Sequence, residues 1–159
     1  MDRREFSALL PMLLALPALT PAAQAQSKTE QSASLPGALP AALPKLASGE
    51  YAWGEAYGSQ RPARTSHRFL IGALPDNIRL EAHVTFLAPG APAEPIEHHK
   101  HSEMWFVREG TVTLMTAGVT RTLKAGEMGL CIAGDDHYVT NASKTDPASY
   151  FVITVGPPE

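Results

Sequence analysis

The chain has 159 residues, of which 13 are Lys or Arg and 16 are Asp or Glu, for a formal net charge of −3. That length suits one domain rather than two, and with no basic run beyond the first residues nucleic acid is not an expected partner. The single cysteine, Cys131, excludes an intramolecular disulfide framework and any Cys-rich zinc motif.

Residues 1–25 have the layout of a signal peptide. Asp2-Arg3-Arg4-Glu5-Phe6 leads into an uncharged apolar run from Ser7 to Leu19, and Ala23-Gln24-Ala25 meets the small-x-small cleavage rule, leaving Gln26 as the new terminus. Pro11 and Pro17 interrupt the run, which is short for a bilayer span, so cleavage rather than a stable membrane anchor is expected. The paired arginines before Phe6 resemble the bacterial twin-arginine signal, with an ordinary secretory signal as the alternative. Both imply a periplasmic or secreted protein. The twin-arginine route is associated with cargo that folds before export. Its metal would then be taken up inside the cell, away from the tighter-binding copper and zinc of the envelope.

Residues 26–50 are rich in Ser, Ala, Pro and Leu, and Pro36, Pro40 and Pro44 forbid a long helix there. This stretch reads as an extended arm or linker, with Leu35, Leu39, Leu43 and Leu46 available to pack on the folded domain or on a second subunit. The folded domain is expected over residues 51–159. His67–Ile71 reads as a strand ending at Gly72. Residues 78–87 alternate, with Ala82, Val84 and Phe86 on one face and Glu81, His83 and Thr85 on the other. Further strands are expected at 103–108, 111–116, 119–123, 129–132, 137–140 and 149–155, several of them separated by glycine turns. Short, evenly spaced strands without a helical period predict an antiparallel barrel or sandwich.

Two motifs carry the chemistry. The first runs from Gly90 through Glu97-His98-His99-Lys100-His101-Ser102-Glu103 to Gly110; the second joins Gly126, Ile132-Ala133-Gly134, His137 and Asn141. Together they resemble the two motifs of the cupin superfamily, small jelly-roll barrels that often hold one metal ion. Glu103 lies seven residues before Gly110, as in that family's first motif. His99 takes the second histidine position and Glu97 the first, where histidine is usual. The second motif keeps the family's spacing throughout, with Ile132 in place of the usual proline. The resemblance covers about residues 65–156 and implies an all-β, antiparallel jelly-roll (cupin) barrel with an extended N-terminal arm. It does not select an activity, because cupins include dioxygenases, isomerases, lyases and binding modules.

On a strand, positions 97 and 99 share a side, and Glu103 continues that parity with Trp105 and Val107. His137, from a later strand, can close the site across the barrel, and Glu97, His99, Glu103 and His137 are the expected metal ligands. His101 is the alternate ligand if the backbone bends, and Glu97 is then a base at the mouth. Two histidines with two carboxylates favour manganese or ferrous iron, with zinc or nickel as alternatives. The pair of carboxylates also offsets the charge of a divalent ion, leaving little net charge to attract an anion. A small-molecule ligand at the metal is expected; whether it is turned over is left open, and the enzyme reading is a metal-dependent dioxygenase or a related oxidoreductase. The alternatives are a non-catalytic module for a sugar or metabolite, and a metal-dependent isomerase or lyase. His83 reads as an exposed or hydrogen-bonded residue of a polar face, or as a substrate-facing acid/base group if that face is the barrel interior, His67 as exposed, and Asp135-Asp136 as the turn that presents His137. Cys131 reads as a small core residue. Met104 and Phe106 fall on the outer face, where they suit a homodimer contact.

Overall fold

The computed structural model describes residues 42–61 and 63–158, all within the compact unit that runs from Ala33 to Glu159. The signal peptide read over residues 1–25, and the part of the arm before residue 42, lie outside the described residues. Nine strands account for nearly all the regular structure of the described residues. They are β1 (Ala56–Arg61), β2 (Arg64–Leu74), β3 (Ile78–Leu87), β4 (Ser102–Glu109), β5 (Thr111–Thr116), β6 (Val119–Lys124), β7 (Met128–Cys131), β8 (His137–Asn141) and β9 (Ala148–Gly156). One 3-10 turn, Pro75–Asn77, joins β2 to β3. The strands form a six-stranded sheet in the order β1-β2-β3-β9-β4-β7 and a three-stranded sheet in the order β6-β5-β8. Every strand pair is antiparallel. The fold is the expected all-β antiparallel jelly-roll barrel.

Strand β1 was not expected. Its sequence, Ala-Tyr-Gly-Ser-Gln-Arg, has no apolar alternation; what makes it a strand is main-chain pairing with residues 64–67 of β2. Beyond that pairing the edge of β2 is taken by the C-terminal end of the arm, where Ala73 N–H donates to Pro44 O and Leu46 N–H donates to Ala73 O, at 2.8 and 2.9 Å.

Register explains where the site lies. Across β3, β9, β4 and β7 one row reads Glu81, Thr154, Glu103, Cys131, and the row two residues on reads His83, Val152, Trp105, Gly129. The next row holds Thr85, Tyr150 and Val107. These rows share the inner face, so the interior passes from charged side chains at one end to apolar ones at the other. The apolar end is the core, built from Leu87, Ala91, Val107, Val112, Leu114, Val139 and Ala148 and reaching Trp105, Tyr150 and Val152. Cys131 belongs to it, as expected. The intervening rows, Ala82-Ile153-Met104-Leu130 and Val84-Phe151-Phe106-Met128, form the outer face. Exposure on that face rises towards the β7 edge, from 0 % at Val84 to 46 % at Phe106 and 61 % at Met128.

Asn141, the last residue of the second motif, is buried. Its side-chain amide donates to Ala88 O and Asp146 O, both at 2.9 Å, and its carbonyl accepts from Ser143 N–H. It staples two loops at the closed end of the barrel and does not face the charged rows.

Candidate metal centre

Each charged residue of the site is placed by backbone pairing. Glu97 and His137 exchange two main-chain hydrogen bonds of 2.9 and 3.0 Å, and Gly134 N–H donates to His99 O at 2.8 Å. Gly134 has φ +90°, a conformation that glycine enters at little steric cost, and it closes the turn that presents His137. Glu103 comes from β4 in the other sheet, so the centre joins both halves of the barrel.

The structure departs from the expected parity in one respect. Residues 98–101 are not a strand; β4 begins at Ser102. The intervening bend stacks the rings of His99 and His101, with centroids 4.5 Å apart and planes 11° apart. Glu97, His99 and Glu103 still converge, and the bend brings the alternate residue His101 in with them.

Glu103 lies in the middle. Its Oε1 is 3.0 Å from His101 Nε2 and 3.8 Å from His99 Nε2, and its Oε2 is 3.5 Å from His137 Nε2. Glu97 Oε2 lies 3.2 Å from His99 Nε2. Two triples of donor atoms, Glu97/His99/His137 and His99/His101/Glu103, each fall within a mutual separation of 4.8 Å, and His99 belongs to both.

The electrostatics suit cation capture. Burial alone would raise the Glu103 carboxyl, but hydrogen bonds from His101 and His137 outweigh it and hold the pKa at about 2. His137 is pushed down by burial and pulled up further by the Glu103 hydrogen bond and charge, for a net rise. On its other side the Asp135 backbone carbonyl accepts a hydrogen bond from this ring, which leaves Nε2 facing the site, as metal-binding histidines are oriented. Cys131 Sγ packs behind the ring, 3.7 Å from Nδ1, and burial raises its thiol to about 11.

The centre opens on a cavity of about 250 Å³. Glu97, Glu103, Trp105 and His137 form one wall, and His83, Thr85, Tyr150, Val152, Tyr57, Ser66, Arg64 and Glu94 form the rest. His83 therefore corrects the reading of its strand: the face carrying Glu81, His83 and Thr85 is the interior. Alternating polar residues usually mark the solvent side of an antiparallel sheet, but here the interior itself is polar at this end. Behind His83, Glu81 accepts from Arg68 Nε at 2.8 Å, from Tyr57 OH at 3.1 Å and from Arg79. Its Oε1 is 3.7 Å from His83 Nδ1, which has no hydrogen-bond partner. Burial lowers the His83 pKa and keeps the ring neutral. His67 is half-buried rather than exposed; its Nδ1 meets Gly54 O at 3.0 Å and its ring packs on Trp53.

Sequence reasoning missed Arg64, Glu94 and Tyr150. Arg64 is ion-paired with Glu94 and donates to Tyr150 OH at 2.6 Å and to Val139 O at 3.0 Å. Of the three, only Tyr150 carried a signal, since it shares strand parity with Val152 and Thr154. Arg64 and Glu94 are thirty residues apart in unpatterned sequence.

Comparison with known proteins agrees with the geometry. Residues 83–154 match the family model described as Cupin domain. No curated protein matches the chain. Among solved structures, an RmlC-like cupin from Shewanella frigidimarina is similar at 19% identity, with TM-score 0.55, over 70% of this chain and 95% of that one. The protein TT1209 from Thermus thermophilus is similar at 21% identity and TM-score 0.52, over 62% and 89% of the two chains. KdgF from Halomonas sp. is similar at 16% identity and TM-score 0.51, over 69% and 90%. These likenesses establish the fold, and the cupin likeness in sequence is the match over residues 83–154.

Proposed function

We propose that this chain is an exported cupin that holds one divalent metal ion and binds a small organic molecule beside it. Glu97, His99, Glu103 and His137 are its ligands, with His101 as the alternate to Glu97. The observation that carries the reading is the meeting of nitrogen and oxygen donors from residues 97–103 with His137 of a later strand, as two triples that share His99, beside a polar cavity. The mixed donor set fits manganese or ferrous iron best, with zinc or nickel as alternatives. Such an ion supplies Lewis acidity or, as iron, oxygen chemistry. The chain's own contribution is to keep Glu103 ionised, to aim three Nε2 atoms, and to wall the site with Trp105 and Val152. Export through the twin-arginine route and assembly as a homodimer belong to the same proposal.

The activity proposed is that of a metal-dependent dioxygenase. Oxygen uptake by the iron-loaded protein, screened over small hydroxylated and carbonyl compounds, tests it; uptake lost in His99→Ala is the expected result, and no uptake with any compound overturns it. A second reading, a metal-dependent isomerase or lyase, is favoured by His83. This neutral imidazole lines the cavity without being a ligand, where it is placed to move a proton on a bound molecule. Exchange of ligand C–H with solvent deuterium, lost in His83→Gln with metal retained, would select it. Neither uptake nor exchange would leave a non-catalytic binding module.

A further inference from the structure

We propose that the cavity's ligand is a neutral, polyhydroxylated small molecule and not an organic acid. The inference rests on the metal reading above and specifies what is bound there. Its basis is a count of the charges that face the cavity. Arg64 is the cavity's permanent cation, and it is already committed: Glu94 cancels its charge, and Tyr150 OH and Val139 O take further donors. Arg68 and Arg79 do not line the cavity, and both are ion-paired with Glu81 behind it. A divalent ion would be matched by Glu97 and Glu103. That balance holds whichever of Glu97 and His101 completes the ligand set, because Glu97 stays 3.2 Å from His99 Nε2 in either case. His83 adds no charge.

A carboxylate entering this space would lose its hydration and meet no net positive charge on the cavity lining, an unfavourable exchange in a confined site. Hydroxyl groups face the opposite situation. Tyr57, Ser66, Thr85 and Tyr150 line the cavity with hydroxyls, and each can both donate and accept. Ser66 Oγ and Thr85 Oγ1 sit 2.8 Å apart and already bond as a pair. Trp105 offers a flat apolar wall on the metal side. A volume of about 250 Å³ is that of about eight waters, which suits a small polyol or a single sugar ring.

The test uses the full chain loaded with manganese and two matched pairs of probes: glycerol against glycerate, and D-glucose against D-glucuronate. Binding is read from water-proton relaxation at the manganese and from Trp105 fluorescence in a Trp53→Phe background. The neutral member of at least one pair should bind about tenfold or more tighter than its carboxylate. Glu94→Gln, which strips Arg64 of its counter-charge, should move that ratio towards the carboxylate by a similar factor. Should this variant fail to fold, the ratio in the unaltered chain decides. Carboxylates that bind as well or better, no binding by any of the four probes, or an unchanged ratio in folded Glu94→Gln would each overturn the inference. Manganese content of the same sample separates the two levels. A chain that holds no manganese overturns the metal reading and this inference with it, whereas a loaded chain that prefers carboxylates overturns this inference alone.

Discussion

Replacing Glu81 by glutamine removes a carboxylate shared by two guanidiniums behind the cavity. The side chain is 7 % exposed, accepts from Arg68 Nε at 2.8 Å and is ion-paired with Arg79, itself 6 % exposed. Glutamine keeps the volume and one acceptor but leaves both cations without a counter-charge. Breaking a buried pair from one side costs about 3–5 kcal/mol, and for a domain of this size that corresponds to a fall in Tm of about 10–20 °C. The pH dependence follows from the same contacts. Burial pushes the Glu81 pKa up, but the Arg68 and Arg79 guanidiniums outweigh it and hold it below the ordinary carboxylate value. A carboxylate depressed in the folded state contributes stability that is complete above its unfolded pKa of about 4.3 and is lost as pH falls through the folded value. The unaltered protein should therefore lose Tm on acidification below about pH 4.5 more steeply than Glu81→Gln. Thermal unfolding followed by circular dichroism from neutral to acid pH measures both effects. In a double-mutant cycle, Arg79→Met added to Glu81→Gln should cost less than the two single changes summed. A fall in Tm at pH 7 of under about 3 °C, the size of a solvent-screened surface pair, would refute the view that this network is a buried support of the cavity.

Further outcomes follow from packing and exposure. A Cβ at Gly129 would stand 2.2 Å from Leu114 Cδ2 and 3.0 Å from Leu123 Cδ1, so Gly129→Ala should destabilise by about 1–3 kcal/mol through overpacking, read as a lower urea midpoint. Cys131 is 3 % exposed with its thiol raised to about 11, so a thiol reagent at pH 8 should label it only as fast as the protein unfolds; rapid labelling of the native protein would contradict its place behind His137. The proposed homodimer uses the outer face at the β7 edge, where Phe106, Met128 and Leu130 are exposed. Phe106→Glu with Leu130→Glu should yield a folded monomer by sedimentation equilibrium, and a mass equal to that of the unaltered chain would place the contact elsewhere.

Local signals explain why the strands were legible. From β2 to β9 the chain alternates apolar and polar residues between glycine or Asp-rich turns, and every strand expected from that pattern is present within a few residues. β1 was missed because its sequence has no apolar alternation, and its main-chain pairing with β2 and the contacts of Tyr57 with Glu81, Arg68 and His83 leave no local pattern. The candidate site was legible where it is written in consecutive or fixed spacing, from Glu97 to Glu103 and from Gly126 to Asn141. It was not legible where it depends on which way a sheet faces. His83 carries the same alternation whether its face meets solvent or cavity, and only the register that sets it in the same interior rows as Glu103 decides. The Arg64–Glu94 pair has no signature at all, since two oppositely charged residues far apart in sequence are ordinary surface composition until the barrel closes on them. The strand assumed for residues 97–103 brings Glu97, His99 and Glu103 together on the wrong backbone, because a bend after His99 also carries His101 to them.

The most direct test of the central claim is elemental analysis of the protein purified from its native export route, beside a His99→Ala/His137→Ala double mutant. One equivalent of manganese or iron per chain, absent from the folded double mutant, is the predicted result. Metal that is absent from both proteins, or equal in both, would contradict it.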